Sequence, residues 1–150
     1  METESLAAAL ERQHQEVDAG IANFTAWPAD PQPLERAIRA LRRHIYLEEE
    51  ILFPLLHQAE PGLAAPVAVM LHEHAEIWAL LDTLEGDQDE ESGPALCRQL
   101  IVRLQHHNLK EEQVLYPRAD ALPASAADRL RAFIRSGELP DGWVCLRARP

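Results

Sequence analysis

The sequence HIYLEEEILFP, at residues 44–54, returns 63 residues later as HNLKEEQVLYP, at residues 107–117. The histidine, the two acids four and five positions after it, the leucine and the proline are identical, and Ile/Val and Phe/Tyr are similar. A histidine and a glutamate four residues apart lie on one face of an α-helix. The repeat therefore predicts two helices that are related halves of one structure and that point the same way.

Around the repeat, apolar residues recur at three- and four-residue spacing, which is typical of amphipathic helices. Turn-forming residues separate the periodic stretches at 27–31, at Pro61-Gly62 and in the polar loop 86–93. The spacing predicts long helices at about 4–24, 33–57, 64–85 and 94–118, and a shorter fifth helix at about 125–136. Four long helices with short connections favour an all-α fold, the up-down-up-down four-helix bundle. Residues 1–136 are expected to form this domain, and residues 137–150 a C-terminal tail that packs on it.

In the two helices that carry the repeat, a regular apolar stripe continues past the glutamates. The second helix is expected to bury Leu52 and Leu55, and the fourth is expected to bury Val114 and Leu115. Pro54 is expected to kink or end the second helix, because proline lacks an N–H and its ring clashes with the preceding turn.

Composition limits the classes of function. The chain has 150 residues, which suggests one domain, and a formal net charge of −11, which argues against nucleic-acid and anionic-membrane partners. The sequence contains no apolar run long enough to span a bilayer and no signal-peptide pattern at its N-terminus. Its two cysteines, Cys97 and Cys145, lie far apart and are expected to be reduced thiols. We therefore expect a cytoplasmic protein.

Ionisable residues interrupt the apolar stripe of every long helix, near its middle. Mid-helix positions share one level in an antiparallel bundle, so these groups are expected to converge on one point in the core. The converging residues are His14, His44, Glu48, His74, His107 and Glu111.

Four imidazoles and two carboxylates packed together without a cation would cost more than the roughly 5–15 kcal/mol that holds a domain folded. A bound metal supplies the missing positive charge, and imidazole nitrogen with carboxylate oxygen suits iron, manganese or zinc. Because a carboxylate can bridge two ions through its two oxygens, the paired motifs suggest a dinuclear centre. Glu48 and Glu111 would bridge, and the histidines would bind at either end.

The remaining polar residues near these positions have simpler interpretations. His57, His72 and His106 lie on mostly polar faces or helix ends and are expected to be solvated. Tyr46 and Tyr116 are expected to serve in packing. Three acids adjacent to the candidate ligands are boundary residues or, alternatively, accept a hydrogen bond from an imidazole N–H: Asp18, Glu49 and Glu112.

Stretches in all four long helices, at 13–18, 41–54, 70–77 and 107–117, resemble the hemerythrin-like, or HHE cation-binding, family. The resemblance implies a four-helix bundle that holds a non-haem di-iron centre. It implies terminal histidine ligands and bridging carboxylates at the positions already singled out, namely His14, His44, His74, His107, Glu48 and Glu111.

The chain departs from the oxygen-carrying members of that family at two positions. Those proteins have a second histidine on the third helix where this chain has Trp78, and an aspartate on the fourth helix where this chain has Glu112. One histidine fewer implies more open coordination positions, so reversible oxygen carriage is in doubt.

The resemblance implies a protein that binds or senses a small diatomic ligand, oxygen or nitric oxide, at two iron ions. The alternatives are an enzyme that detoxifies peroxide or nitric oxide at the same centre, an iron-handling protein, and a metal-free interaction bundle. A ferritin-like carboxylate protein is disfavoured, because such proteins use paired Glu-x-x-His motifs and only Glu11 with His14 fits. We expect a binding protein rather than an enzyme, since only Glu49, Glu112, Tyr46 and Tyr116 could serve as proton donors.

Overall fold

The computed structural model describes residues 4–22, 24, 32–86 and 92–150, and these residues form helices, turns and loops with no β-strand. The α-helices are α1 (Leu6–Ala22), α2 (Gln32–Leu47), α3 (Phe53–Ala59), α4 (Ala64–Glu85), α5 (Ser92–Lys110), α6 (Tyr116–Ala119) and α7 (Ala124–Ser136). Two π-helical turns, Glu48–Leu52 and Glu111–Leu115, join α2 to α3 and α5 to α6. The predicted breaker at 27–31 lies outside the described residues, as does most of the acidic loop.

The core consists of two apolar clusters, one on each side of a polar layer. The tail-side cluster includes Val17, Ile21, Leu41, Ile45, Ile77, Leu81, Leu100, Leu104 and Cys145. The α7-side cluster includes Leu6, Leu10, Leu52, Leu56, Leu63, Met70, Leu115, Tyr116 and Leu130.

The order of these residues along the chain gives the direction of each helix. α1 and α4 begin in the α7-side cluster and end in the tail-side cluster, whereas α2–α3 and α5–α6 run the opposite way. The predicted up-down-up-down four-helix bundle is confirmed. No helix among the described residues is long and apolar enough to cross a membrane.

The two π-helical turns correct the predicted apolar stripes. A π-turn holds one residue more than an α-turn, so every residue after it is rotated by roughly 100° relative to a regular helix. Leu56 is therefore buried where Leu55 was predicted, and Leu55 is only half-buried. In the second copy Val114 is 44% exposed, contrary to the prediction, and Tyr116 is fully buried.

The π-turns also explain why the prolines do not end their helices. Pro54 lies in the first turn of α3 and Pro117 in the first turn of α6, each directly after a π-turn. A proline in a regular helix interior clashes with the carbonyl four residues earlier. The wider π-turn accommodates that carbonyl, so the second helix continues to Ala59 instead of ending at Pro54.

The last two segments pack along the sides of the bundle. The Arg43 guanidinium donates hydrogen bonds to the carbonyls of Phe133, Ile134 and Gly137 and so holds the C-terminus of α7 against α2. In the tail, the Trp143 ring lies 5.1 Å from the Tyr46 ring, and Cys145 is buried in the tail-side cluster.

The presence of the first π-turn can be tested by comparing the stability losses caused by two substitutions after it. Leu56→Ala is expected to cost about 2–5 kcal/mol of unfolding free energy, because it opens a cavity in the α7-side cluster. Leu55→Ala is expected to cost about 1 kcal/mol, because that side chain is only partly buried. Urea denaturation of the two variants measures both values, and the reverse order would indicate a regular helix.

Candidate metal centre

The structure brings all six predicted site residues together in the polar layer between the two apolar clusters. His14, His44, His74 and His107 are each at most 4% exposed, and both carboxylates are fully buried. Two groups of four side chains each bring their donor atoms within 4.8 Å of one another. The groups are His14, His44, Glu48 and Glu111, and Glu48, His74, His107 and Glu111.

Each histidine points its Nε2 atom at the two carboxylates. His14 Nε2 and His107 Nε2 lie 3.2 Å from Glu111 Oε1, and His74 Nε2 lies 3.2 Å from Glu48 Oε1. His44 Nε2 lies 3.5 Å from Glu48 Oε1, one turn along its own helix. Both carboxylates are therefore shared between the two ends of the site.

The opposite ring nitrogen of each histidine is held by an acceptor outside the centre. His14 Nδ1 donates to Glu112 at 2.8 Å, and His74 Nδ1 donates to Glu49 at 2.7 Å. The other two acceptors are the Gln13 side-chain oxygen, 2.6 Å from His44 Nδ1, and Glu73, 2.9 Å from His107 Nδ1. Because Nδ1 carries the donated proton, each neutral imidazole presents the Nε2 lone pair to the centre.

The sequence found two of these four acceptors. It offered Glu49 and Glu112 as partners of an imidazole N–H, and both have that contact in the structure. Gln13 and Glu73 were missed, although each directly precedes a candidate histidine, in Gln13-His14 and Glu73-His74. These two dipeptides are a second, shorter repeat that links α1 to α4.

Asp18 does not have the contact that the sequence offered for it. Glu112 occupies His14 Nδ1, and Asp18 Oδ1 is buried with no hydrogen-bond partner among the described residues. Burial raises the pKa of Asp18 above its usual value.

The charges of the carboxylates hold protons on His14, His74 and His107 when no metal is bound. Burial lowers the pKa of His14, but hydrogen bonds and the charges of Glu111 and Glu48 outweigh it and raise the pKa to about 9. The same opposition raises the pKa of His74 well above its usual value. Burial would raise the pKa of Glu111, yet the surrounding imidazoles hold it well below the usual range. Protons therefore stand in for the positive charge that the buried carboxylates require.

These residues fit a metal cation. When the four imidazoles are neutral, their Nε2 lone pairs and the two carboxylates face one another, so the centre has many acceptors and few donors. Glu111 Oε2 is buried with no hydrogen-bond partner among the described residues. An unpaired buried carboxylate oxygen is costly, and a cation bound there would offset the cost.

Tyr116 was expected to serve in packing and was not among the six candidate ligands. The Tyr116 hydroxyl lies among the candidate ligands, 2.7 Å from His14 Nε2. In a regular helix Tyr116 would face away from the site. Its position beside the ligands follows from the π-turn, which the apolar spacing of the sequence does not reveal. By contrast His57, His72 and His106 are exposed, as expected.

The C-terminal tail also contacts the acid that holds His74. The Leu146 backbone N–H donates to Glu49 Oε1 at 2.8 Å, while Glu49 Oε2 accepts from His74. The Trp143 indole N–H donates to the neighbouring Glu50 at 3.0 Å. The tail therefore fixes the orientation of one outer acceptor.

The chain is similar in sequence to known proteins. Three relatives are iron-sulfur cluster repair proteins called YtfE. The protein from Edwardsiella ictaluri is 33% identical over 59% of this chain and 48% of its own length. The protein from Musicola paradisiaca is 31% identical over 76% of this chain and 54% of its own length. The protein from Salmonella paratyphi B is 32% identical over 61% of this chain and 49% of its own length. The chain thus matches about half the length of these relatives.

No solved structure matches the chain. A family model, the hemerythrin HHE cation binding domain, matches residues 4–119, which include all six converging residues and the four acceptors around them. The chain belongs to the hemerythrin HHE cation-binding family.

Proposed function

We propose that the chain holds a non-haem di-iron centre that binds or senses a small diatomic ligand, oxygen or nitric oxide. The observation that carries the proposal is that two groups of four candidate ligands share Glu48 and Glu111. Two ions bound in these groups would each have two histidines of their own and would be bridged by both carboxylates. His14 and His44 would bind one ion, and His74 and His107 the other.

The chemistry of the donor set supports iron. Imidazole nitrogen and carboxylate oxygen suit ferrous and ferric iron, and the same set accepts manganese or zinc. Two ferrous ions held there would supply electrons to a diatomic ligand bound at an open position. The surrounding residues exclude water, since apolar clusters close the polar layer on both sides. Glu49, Glu73 and Glu112 accept hydrogen bonds from the imidazole Nδ1–H groups, which makes the facing Nε2 atoms better metal ligands.

A second function is supported by the relatives, which are named for iron-sulfur cluster repair. A chain with this role would deliver iron to another protein rather than retain it. The match spans about half of those relatives, so this activity would require the domain alone to suffice.

Removal of one candidate ligand is expected to lower both iron content and stability. His107→Ala is expected to bind less iron than the parent chain and to lose most of the melting-temperature difference between loaded and chelator-treated protein. That difference is on the order of 10 °C if iron is present at about a thousand times its dissociation constant. Iron analysis and calorimetry measure both. His106→Ala, at the exposed neighbouring position, is the control and is expected to match the parent chain.

The outer acceptors are expected to tune affinity without being ligands. Glu112→Ala removes the acceptor for His14 Nδ1 and is expected to weaken iron binding about 10–100-fold in competition with a chelator. Gln113→Ala, at the exposed next position, is expected to leave the affinity unchanged. Equal affinities for the two variants would contradict a role for Glu112 in holding the imidazole.

The two candidate functions differ in what happens to the iron. On exposure to oxygen or nitric oxide, the reduced, iron-loaded chain is expected to change its visible absorption while its iron content stays constant. The loaded chain is also mixed with a cluster protein that lacks its metal, and the two are separated by gel filtration. Loss of iron from the chain to that protein, measured by iron analysis and by the same spectra, would favour the repair function. An unchanged spectrum with both gases would contradict ligand binding.

A further inference from the structure

The Tyr116 hydroxyl lies within hydrogen-bond distance of four of the six predicted site residues. Its oxygen is 2.7 Å from His14 Nε2 and 2.9 Å from His44 Nε2. It is also 2.9 Å from Glu48 Oε2 and 3.3 Å from Glu111 Oε1. We propose that Tyr116 is a seventh protein ligand, which binds through its phenolate oxygen the iron held by His14 and His44. This proposal rests on the di-iron centre proposed above.

A hydrogen-bond count supports coordination by Tyr116 rather than donation alone. A phenol has one proton, yet four groups with lone pairs lie around this hydroxyl. A metal binds the neutral imidazoles and displaces any proton that Nε2 holds in the metal-free chain. The neutral His14 and His44 rings donate outward from Nδ1, so their Nε2 atoms have no proton to donate to the phenol. On binding a cation the O–H bond breaks, the proton leaves to solvent, and the oxygen keeps the electron pair that it shares with the metal.

The repeat makes the two halves of the site unequal. Tyr116 aligns with Phe53 in the other copy, 63 residues earlier. Each of these rings packs on the histidine of the helix opposite. The Phe53 ring stacks on His74 with a centroid distance of 5.7 Å, and the Tyr116 ring lies 5.2 Å from His14. The halves therefore differ by one oxygen atom, which is present beside His14 and His44 and absent beside His74 and His107.

The additional oxygen of Tyr116 leaves more room for an external ligand in the other half of the site. The half with His14 and His44 has five protein groups, counting both shared carboxylates and Tyr116, whereas the half with His74 and His107 has four. A surface groove lined by Phe53, Val67 and Leu71 lies on the side with fewer groups. The diatomic ligand would therefore bind the iron held by His74 and His107, beside the Phe53 ring.

The spectrum of the ferric protein tests the assignment. A phenolate bound to ferric iron gives a visible charge-transfer band with tyrosinate ring modes in the resonance Raman spectrum, and imidazole and carboxylate ligands give no such modes. The chain is loaded with ferrous iron without oxygen, oxidised with ferricyanide, and analysed for iron before each spectrum. The parent chain is expected to show the ring modes, and Tyr116→Phe is expected to lose them while retaining two iron ions.

Two further variants serve as controls and as a second test. Tyr46→Phe changes the chain's other tyrosine, which packs on Phe133 and Trp143, and is expected to keep the band. In Phe53→Tyr with Tyr116→Phe the hydroxyl moves to the matching position, and the ring modes are expected to return.

The outcomes separate this proposal from the di-iron centre itself. Two bound iron ions without ring modes in the parent chain would overturn the phenolate, as would ring modes that persist in Tyr116→Phe. A parent chain that binds no iron would contradict both proposals. Loss of the modes in Tyr116→Phe, with iron retained and Tyr46→Phe unchanged, would support the phenolate.

Discussion

Two carboxylates without solvent access are the constraint on which the rest of this structure depends. Glu48 and Glu111 are fully buried in one layer of the core, where each charge needs a compensating charge. Four imidazoles surround them, and apolar clusters seal the layer above and below. The helices must therefore bring all six groups to one level, which an antiparallel bundle does with mid-helix positions. A cation at that level turns a costly layer into a stabilising one.

Both copies of the repeat place a buried glutamate in the core through the same local structure. In each copy a histidine and a glutamate one turn apart face the centre, and a π-turn begins at the glutamate. Functional sites often contain such turns, because they redirect side chains without ending a helix. Here the redirected side chains are Phe53 and Tyr116, which pack on the histidines of the opposite helices.

The fold and the converging residues could be predicted because they depend on the spacing of apolar residues, which can be read directly from the sequence. His14, His44, His74 and His107 lie on apolar stripes, and the repeat fixes the relative direction of two helices. After the glutamates the predicted stripe is confirmed at Leu52 and Leu115 but wrong at Leu55 and Val114, because nothing in apolar spacing marks an additional residue in a turn. The identical prolines inside both helices were a usable sign, since a regular helix interior excludes them. The outer acceptors Gln13 and Glu73 depend on contacts between helices, which periodicity does not contain.

Near-symmetry makes the small differences between the two halves informative. Matching positions hold Gln13 and Glu73, and Phe53 and Tyr116. Glu49 holds His74 and also accepts from the Leu146 N–H of the tail, and its counterpart Glu112 holds His14. A neutral amide holds His44, but a carboxylate holds His107 and makes its imidazole a stronger donor. The half with His14 and His44 thus has one carboxylate among its outer acceptors, and the other half has two. A phenolate beside His44 would add negative charge to the half with fewer carboxylates and so balance the strength with which the two ions are held. Only the ion beside His74 and His107 would then keep an open position.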